Sequence, residues 1–389
     1  MILPIARQLV NTIQGNDIYR RCNDNEVNLN GKDISFVSTS PFVIEYNGEQ
    51  YCLTSDIRDI CVEEYHSVLL VNRKPTRALF NSNKLKGIRW IKHPLFSNIT
   101  PNDIVNSWDG NFFYKKEDLD KGIQGLRIPQ LGAIYAYMSY NQHPKDRGII
   151  VMPTGTGKTE TMLSGLVANQ CNKLLVVVPS DALRTQTTRK FETLGILKQV
   201  GVIANDCLYP NVAMIKHSIS DIADWEHLID ESNVIITTMN IISECSDSVI
   251  NLLSRKISHL FIDEAHHSEA ITWKNFIEKI DPVKVTLFTA TPFRNDGKRL
   301  RGEFIYNFPL KEAQSQQYYK TIKFIPIREY DKETADMRIA ESAISQLKLD
   351  IQSGYNHIVM ARCATKKRAL EVFKYYKQYE EFSPVVLST

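Results

Sequence analysis

The segment that most constrains how this chain folds comprises residues 148–161, which read GIIVMPTGTGKTET. Residues 148–152 form a short apolar run typical of a buried strand, and the run ends in a loop that contains Gly155 and Gly157. Apolar residues at helical spacing follow over 158–168. A strand, a loop and a helix in this order direct backbone N–H groups to one point, which favours the binding of an anion.

The polar residues of the loop predict that this anion is the phosphate chain of a nucleotide. Lys158 would bring a positive charge to the outer phosphates, and the Thr159 hydroxyl is placed to bind Mg²⁺. Met152 stands where the phosphate-loop pattern G-x-x-x-x-G-K-[ST] has its first glycine. In this respect the loop resembles that of superfamily 2 helicases rather than those of kinases or GTPases. The predicted ATP contacts in the loop and the first turn of the helix are Pro153, Thr154, Gly155, Thr156, Gly157, Lys158, Thr159 and Glu160.

Composition limits the class of protein. The chain has 389 residues, 43% of them hydrophobic, which is enough for two or three domains. Lys and Arg number 47 against 44 Asp and Glu, so a nucleic-acid surface would have to be local. Seven scattered cysteines without a C-x-x-C pair argue against a disulfide framework and against a structural zinc site. With neither a signal peptide nor a long apolar run, we expect a cytoplasmic protein that has no membrane partner.

Along the chain, two regions differ in pattern. Residues 1–118 predict a separate accessory domain of mixed α and β structure, with a hairpin at Asn47-Gly48 and a strand at 67–71, and they contain no recognisable catalytic motif. From residue 119 apolar strands alternate with helices, which predicts a parallel α/β sheet with ligands at the carboxyl ends of its strands. The strands predicted after the loop lie within 173–180, 200–204, 233–238, 258–266 and 284–292.

A second motif, LFIDEAHH at 260–267, places two adjacent acids at the end of a predicted strand. Asp263 would hold the magnesium ion, directly or through water. Glu264 would orient and deprotonate a water in line with the γ-phosphate. The predicted catalytic residues are therefore Lys158, Asp263 and Glu264, with Thr159 and Asp263 as the metal ligands.

Five motifs together resemble the core of DEAD/DEAH-type superfamily 2 helicases, nearest the branch of type III restriction enzymes and related defence proteins. They are PTGTGKT, VVVPSDALRTQ, ITTMN, DEAHH and FTATPFRNDGKRL, and the resemblance covers about residues 120–312. It implies a RecA-like ATP-binding lobe at 119–312. It also implies a helicase or translocase that uses ATP and Mg²⁺ on nucleic acid, with DNA favoured over RNA, and serves restriction or antiviral defence beside a nuclease or other defence subunit.

The resemblance also implies roles for further residues. Arg127 and Gln130 occupy the region in which this family reads the adenine of ATP. The residues expected to couple hydrolysis to nucleic-acid movement are His266, Thr289 and Thr291. The residues expected to contact the nucleic-acid backbone are Pro179, Arg184, Gln186, Thr237 and Thr238.

The last part of the sequence predicts a linker at 313–354 and the beginning of a second RecA-like lobe at 355–389. In that lobe we expect strands at 357–363 and 384–389 around a helix. Family motifs V and VI, including the arginine finger, do not occur in these residues, so we expect a longer parent protein. A different class stays open at this stage, namely an ATP-switched nucleic-acid binding or sensing protein that does not separate strands. Intact motifs V and VI in a complete second lobe would favour the motor.

Overall fold

The computed structural model describes residues 2–3, 7–21, 27–28, 34–93, 99–144, 146–265, 271–280, 283–292, 300–320 and 322–387. The chain divides into two compact units, residues 1–319 and 320–389. In the described part of the chain, no helix combines the length and the hydropathy that a membrane span requires.

All the strands of the described residues lie in the first unit. They are β1 Ile2–Leu3, β2 Arg7–Ile13, β3 Asn16–Arg21, β4 Val27–Asn28, β5 Ile34–Thr39, β6 Phe42–Tyr46, β7 Glu49–Thr54, β8 Ser67–Val71, β9 Gly87–Lys92, β10 Gly148–Val151, β11 Leu174–Val178, β12 Val212–Met214, β13 Val234–Thr238, β14 His259–Ile262, β15 Lys284–Thr289 and β16 Glu303–Asn307.

The helices of the first unit are α1 Arg77–Asn81, α2 Pro101–Asn106, α3 Ile128–Gln142, α4 Lys158–Ala168, α5 Asp181–Thr193, α6 Ile222–Glu231, α7 Met239–Ser243, α8 Asp247–Lys256, α9 Ile271–Lys279 and α10 Leu310–Ser315. The second unit contains α11 Lys332–Gln352 and α12 Lys366–Lys377. Single 3-10 turns lie at Ile57–Asp59, Val62–Glu64 and Glu380–Phe382.

The large sheet has the strand order β16-β10-β15-β14-β11-β13-β12-β3-β2-β9-β8-β7-β6-β5, and β1 pairs with β4 separately. From β16 to β12 every neighbouring pair is parallel. Strands β10, β11 and β14 are buried along their whole length, because hydrophobic clusters cover both faces of the sheet. The predicted parallel α/β, RecA-like fold is confirmed.

The N-terminal region continues this sheet. Strand β3 pairs antiparallel with β12, with Tyr19 opposite Val212. In the predicted hairpin, β6 and β7 are joined by Asn47 (φ 54°) and Gly48 (φ 79°), and both residues have the left-handed conformation that a two-residue turn favours. Residues 1–118 therefore share a sheet and a compact unit with the lobe that follows, and the domain boundary at 118 stays a prediction.

Three predicted strands are wrong in the described residues. Residues 200–204 form turns and one isolated bridge from Ile203 to Phe112, because Gly201 has a φ of 69° that breaks an extended chain. Strand β12, which the sequence does not predict, lies between β13 and β3 in the sheet. In the second unit, 357–363 and 384–387 form no strand, since no described segment pairs with them. The helix predicted between them forms as α12.

Candidate active site

The loop between β10 and α4 has the geometry that its sequence predicts. Gly155 (φ 82°) and Gly157 (φ 95°) are both left-handed, and Gly157 immediately precedes the first residue of α4. Thr156 is fully buried, and its hydroxyl and its backbone N–H donate to the Pro153 carbonyl oxygen at 2.7 and 3.2 Å. No side chain caps the start of α4. The backbone N–H groups at this helix end are therefore available to a phosphate group.

The side chains of Arg127 and Gln130 form hydrogen bonds to the backbone of the nucleotide loop. The Gln130 amide oxygen accepts a hydrogen bond from the Arg127 backbone N–H at 2.8 Å, and its Nε2 donates to the Gly157 carbonyl oxygen at 3.4 Å. Arg127 Nη1 donates to the Gly155 carbonyl oxygen at 3.0 Å. Both side chains are thus bonded to the backbone in and next to the nucleotide loop. Contact of these two side chains with the adenine of ATP stays a prediction.

The two motifs meet where Lys158 contacts Glu264. Lys158 Nζ lies 2.9 Å from Glu264 Oε1, and the two side chains are 8% and 24% exposed. Glu264 has a left-handed backbone (φ 50°), and its N–H donates to Asp263 Oδ1 at 2.9 Å. The Asp263 N–H donates to the Val177 carbonyl oxygen at 3.0 Å, which ties it to the end of β11. The structure therefore brings together the three residues predicted to be catalytic.

Asp263 and Thr159 fit a magnesium ion bound to phosphate. Burial raises the pKa of the Asp263 carboxyl above its ordinary value of 3.8, and Lys158 acts in the opposite direction. A buried carboxylate needs nearby positive charge, which a divalent cation would supply. Thr159 is half-buried in the first turn of α4 beside Lys158. Glu160, another predicted ATP contact, instead forms an ion pair with Lys190 at 2.8 Å.

The coupling residues are only partly brought into this site. The Thr289 hydroxyl donates to the Thr291 carbonyl oxygen at 2.9 Å and accepts from the Thr291 N–H at 3.2 Å. The Thr289 carbonyl oxygen accepts from the Met152 N–H at 2.9 Å, next to the nucleotide loop. In the described residues, Thr289 and Thr291 thus bond to each other rather than to the acidic motif, because Thr289 ends β15 and Thr291 follows it by two residues. His266 lies outside the described residues, and the coupling role of all three stays a prediction.

The five residues predicted to contact nucleic acid differ in exposure. Gln186 is exposed and Pro179 is half-buried. Arg184 is buried and forms a 2.8 Å ion pair with Asp181. Thr237 and Thr238 are buried at the end of β13. Direct contact between a nucleic-acid strand and these last three side chains would require a local rearrangement, so their role stays a prediction.

Sequence reasoning missed two tyrosines beside the loop. Tyr318 lies with its ring 5.5 Å from the Arg127 guanidinium carbon, and its hydroxyl donates to Glu117 Oε1 at 3.3 Å. The Tyr319 hydroxyl lies 3.3 Å from the position that a Cβ on Gly155 would occupy. No local pattern predicts these contacts, because they depend on the pairing of β16 with β10.

The parallel sheet and its phosphate loop define a RecA-like nucleotide-binding lobe. Residues 124–294 match the family model described as "Type III restriction enzyme, res subunit". This segment contains both the loop and the acidic motif, and it is thus similar to the res subunit of type III restriction enzymes. The resemblance found in the sequence is thereby confirmed.

Several solved structures match part of this chain. A nuclease-deletion mutant of the Type ISP restriction-modification enzyme LlaGI, solved with a DNA substrate mimic, is 19% identical with a TM-score of 0.36 over 66% of this chain and 24% of that one. The UvsW helicase of bacteriophage T4 is 13% identical with a TM-score of 0.32 over 56% and 68%. The Hef helicase domain of Pyrococcus furiosus is 18% identical with a TM-score of 0.32 over 65% and 54%. This chain thus spans about a quarter of the LlaGI chain. No curated protein matches it significantly.

Proposed function

We propose that this chain is the ATP-hydrolysing part of a helicase or translocase that acts on nucleic acid, with DNA as the expected substrate. The observation that carries the proposal is the convergence of Lys158, Asp263 and Glu264 at the carboxyl ends of parallel strands. A cation, a metal-binding carboxylate and a base beside a phosphate loop are the groups that hydrolysis of a nucleoside triphosphate requires.

The proposed reaction begins with an exchange of partners at Lys158. Its ammonium group forms a 2.9 Å ion pair with Glu264, and contact with the outer phosphates of ATP would replace that bond. Glu264 would then accept a proton from the attacking water, and its partial exposure leaves it accessible to solvent. Asp263 and Thr159 would hold Mg²⁺, which when bound neutralises charge on the phosphates.

The substrate class is inferred from the family and from one surface. The family description names a restriction enzyme, which supports DNA as the substrate and restriction or antiviral defence as the role. On α5, the exposed residues Thr185, Gln186 and Arg189 line a cavity of about 480 Å³. A hydroxyl, an amide and a guanidinium group suit contact with phosphate oxygens, which would give binding without sequence preference.

The test is phosphate release measured with and without single- and double-stranded DNA and RNA, together with strand displacement on a partial duplex. Lys158→Ala is the control, and its melting temperature shows whether it folds. We expect slow turnover that depends on Lys158, and we expect DNA to stimulate it only when a complete second lobe with motifs V and VI is present. Turnover that is equal in wild type and variant would contradict the proposal. ATP-dependent DNA binding without displacement or translocation would favour the alternative of a switched binding protein.

The defence role has a separate test. Cells carrying the wild-type gene should reduce phage plaque numbers, and cells carrying Lys158→Ala should not. Equal plaque numbers in both would remove the defence role and, with it, the reason to expect a nuclease partner.

A further inference from the structure

The chain passes close to the nucleotide loop a second time after β16. The Phe308 N–H donates to the carbonyl oxygen of Val151, the last residue of the strand before the loop, at 2.9 Å. Helix α10 follows, and the chain then turns back at Gln317, which has a left-handed φ of 61°. We call residues 308–319 the return segment.

The end of the return segment is fixed by hydrogen bonds. The N–H groups of Tyr318 and Tyr319 both donate to the Ala313 carbonyl oxygen, at 2.9 and 3.2 Å. The Tyr318 hydroxyl donates to Glu117 at 3.3 Å, and its ring packs edge-on against Phe308 with the centroids 6.3 Å apart. Tyr318 therefore anchors the segment, and the position of its neighbour is set by this anchor.

Tyr319 directs its hydroxyl toward the loop. The atoms closest to a Cβ built on Gly155 are the Tyr319 hydroxyl oxygen at 3.3 Å and the ring carbon that carries it at 3.9 Å. The polar end of the side chain, rather than the face of the ring, thus approaches the loop. Among the described residues, no hydrogen bond engages this hydroxyl, although the side chain is half-buried.

We propose that Tyr319 contacts the bound nucleotide and that its hydroxyl donates a hydrogen bond to a phosphate oxygen. The proposal rests on the nucleotide-binding function proposed above and adds a residue to that site. A phenol is a hydrogen-bond donor, and its bond to a charged phosphate is stronger than a bond between neutral groups. Gly155 lacks a side chain, so the hydroxyl lies directly against the backbone of the loop that would hold the phosphates.

The test is calorimetric titration with AMP-PNP and Mg²⁺, using wild type, Tyr319→Phe, Tyr318→Phe and Lys158→Ala. Tyr319→Phe removes one oxygen atom and keeps the ring, so we expect an unchanged melting temperature and about tenfold weaker binding. Tyr318→Phe is the matched change at the adjacent residue. We expect it to weaken binding less than about threefold, because its hydroxyl is bonded to Glu117.

The outcomes separate this inference from the proposed function. If Lys158→Ala loses binding while Tyr319→Phe binds as wild type does, the role of Tyr319 is wrong and the nucleotide site stands. Equal losses in the two tyrosine variants would show that the return segment only packs against the loop, which would also overturn the inference. Failure of the wild-type chain to bind AMP-PNP would remove both proposals.

Discussion

Gly157→Ala tests whether the shape of the phosphate loop depends on close contact with Gln130. A Cβ at residue 157 would lie 2.0 Å from Gln130 Nε2, far inside normal contact. Gln130 cannot move away freely, because it is buried and its amide oxygen is bonded to the Arg127 N–H at 2.8 Å. The backbone at Gly157 also has a φ of 95°, which residues with a side chain rarely adopt.

The expected loss of stability in Gly157→Ala has two parts. Backbone strain at a left-handed residue is worth about 1–2 kcal/mol. Displacement of Gln130 adds about 1–3 kcal/mol, as overpacking of a filled site does. We therefore expect the free energy of unfolding to fall by about 2–5 kcal/mol and nucleotide affinity to fall at least tenfold. Gly157→Ala should cost only the strain when it is made in a Gln130→Ala background, so the two changes should not be additive.

The assay is urea denaturation followed by circular dichroism, with AMP-PNP titration on the same samples. Gly110→Ala is the matched control, because its φ is 67° and no atom lies within 4 Å of the added Cβ. The free energy of unfolding of Gly110→Ala should fall by the backbone strain alone, about 1–2 kcal/mol. If Gly157→Ala were as stable as Gly110→Ala, or if it cost as much in the Gln130→Ala background as in wild type, the steric reasoning would be refuted.

Two further predictions concern buried ionisable groups. Burial raises the pKa of Asp263, so Asp263→Asn should be more stable than wild type at neutral pH yet lose Mg²⁺-dependent nucleotide binding. The extra stability of Asp263→Asn should shrink toward zero as pH falls to 3.8, the ordinary pKa of the Asp263 carboxyl. An Asp263→Asn variant that is less stable than wild type at pH 7 would contradict this account. Burial lowers the pKa of His93 and of His259 from 6.5 to about 4, so the unfolded chain binds more protons between these values. The free energy of unfolding should be highest above pH 6.5 and should fall on acidification by up to about 3 kcal/mol per histidine. The variant His93→Gln should therefore show a smaller change of the urea midpoint with pH.

The parts of the site that the sequence predicts are those built from neighbouring residues. The strand, loop and helix at 148–168 are contiguous, and the two glycines occupy the two positions that need a left-handed backbone. Asp263 and Glu264 follow an apolar strand, and parallel strands bring their carboxyl ends to one edge. The meeting of Lys158 with Glu264 follows from that topology, since both residues lie beyond the ends of strands in one sheet.

The parts that the sequence does not predict depend on pairing between distant strands. Nothing local indicates that β3 pairs with β12, which joins the N-terminal strands to the lobe. The approach of Tyr319 to the loop likewise depends on the pairing of β16 with β10. The apolar run at 200–204 resembles a strand in composition, yet the conformation of Gly201 makes it a turn. Side-chain burial at Thr237 is also set by tertiary packing, which a motif does not reveal.

The measurement that tests the central claim most directly is the comparison of nucleotide binding and phosphate release in wild type and Glu264→Gln. The amide has nearly the same shape as the carboxylate but cannot accept a proton from water, and it no longer holds Lys158 through charge. We predict that Glu264→Gln binds Mg²⁺ and ATP at least as tightly as wild type and releases phosphate about 10²–10⁴-fold more slowly. Phosphate release at the wild-type rate by Glu264→Gln would contradict the account.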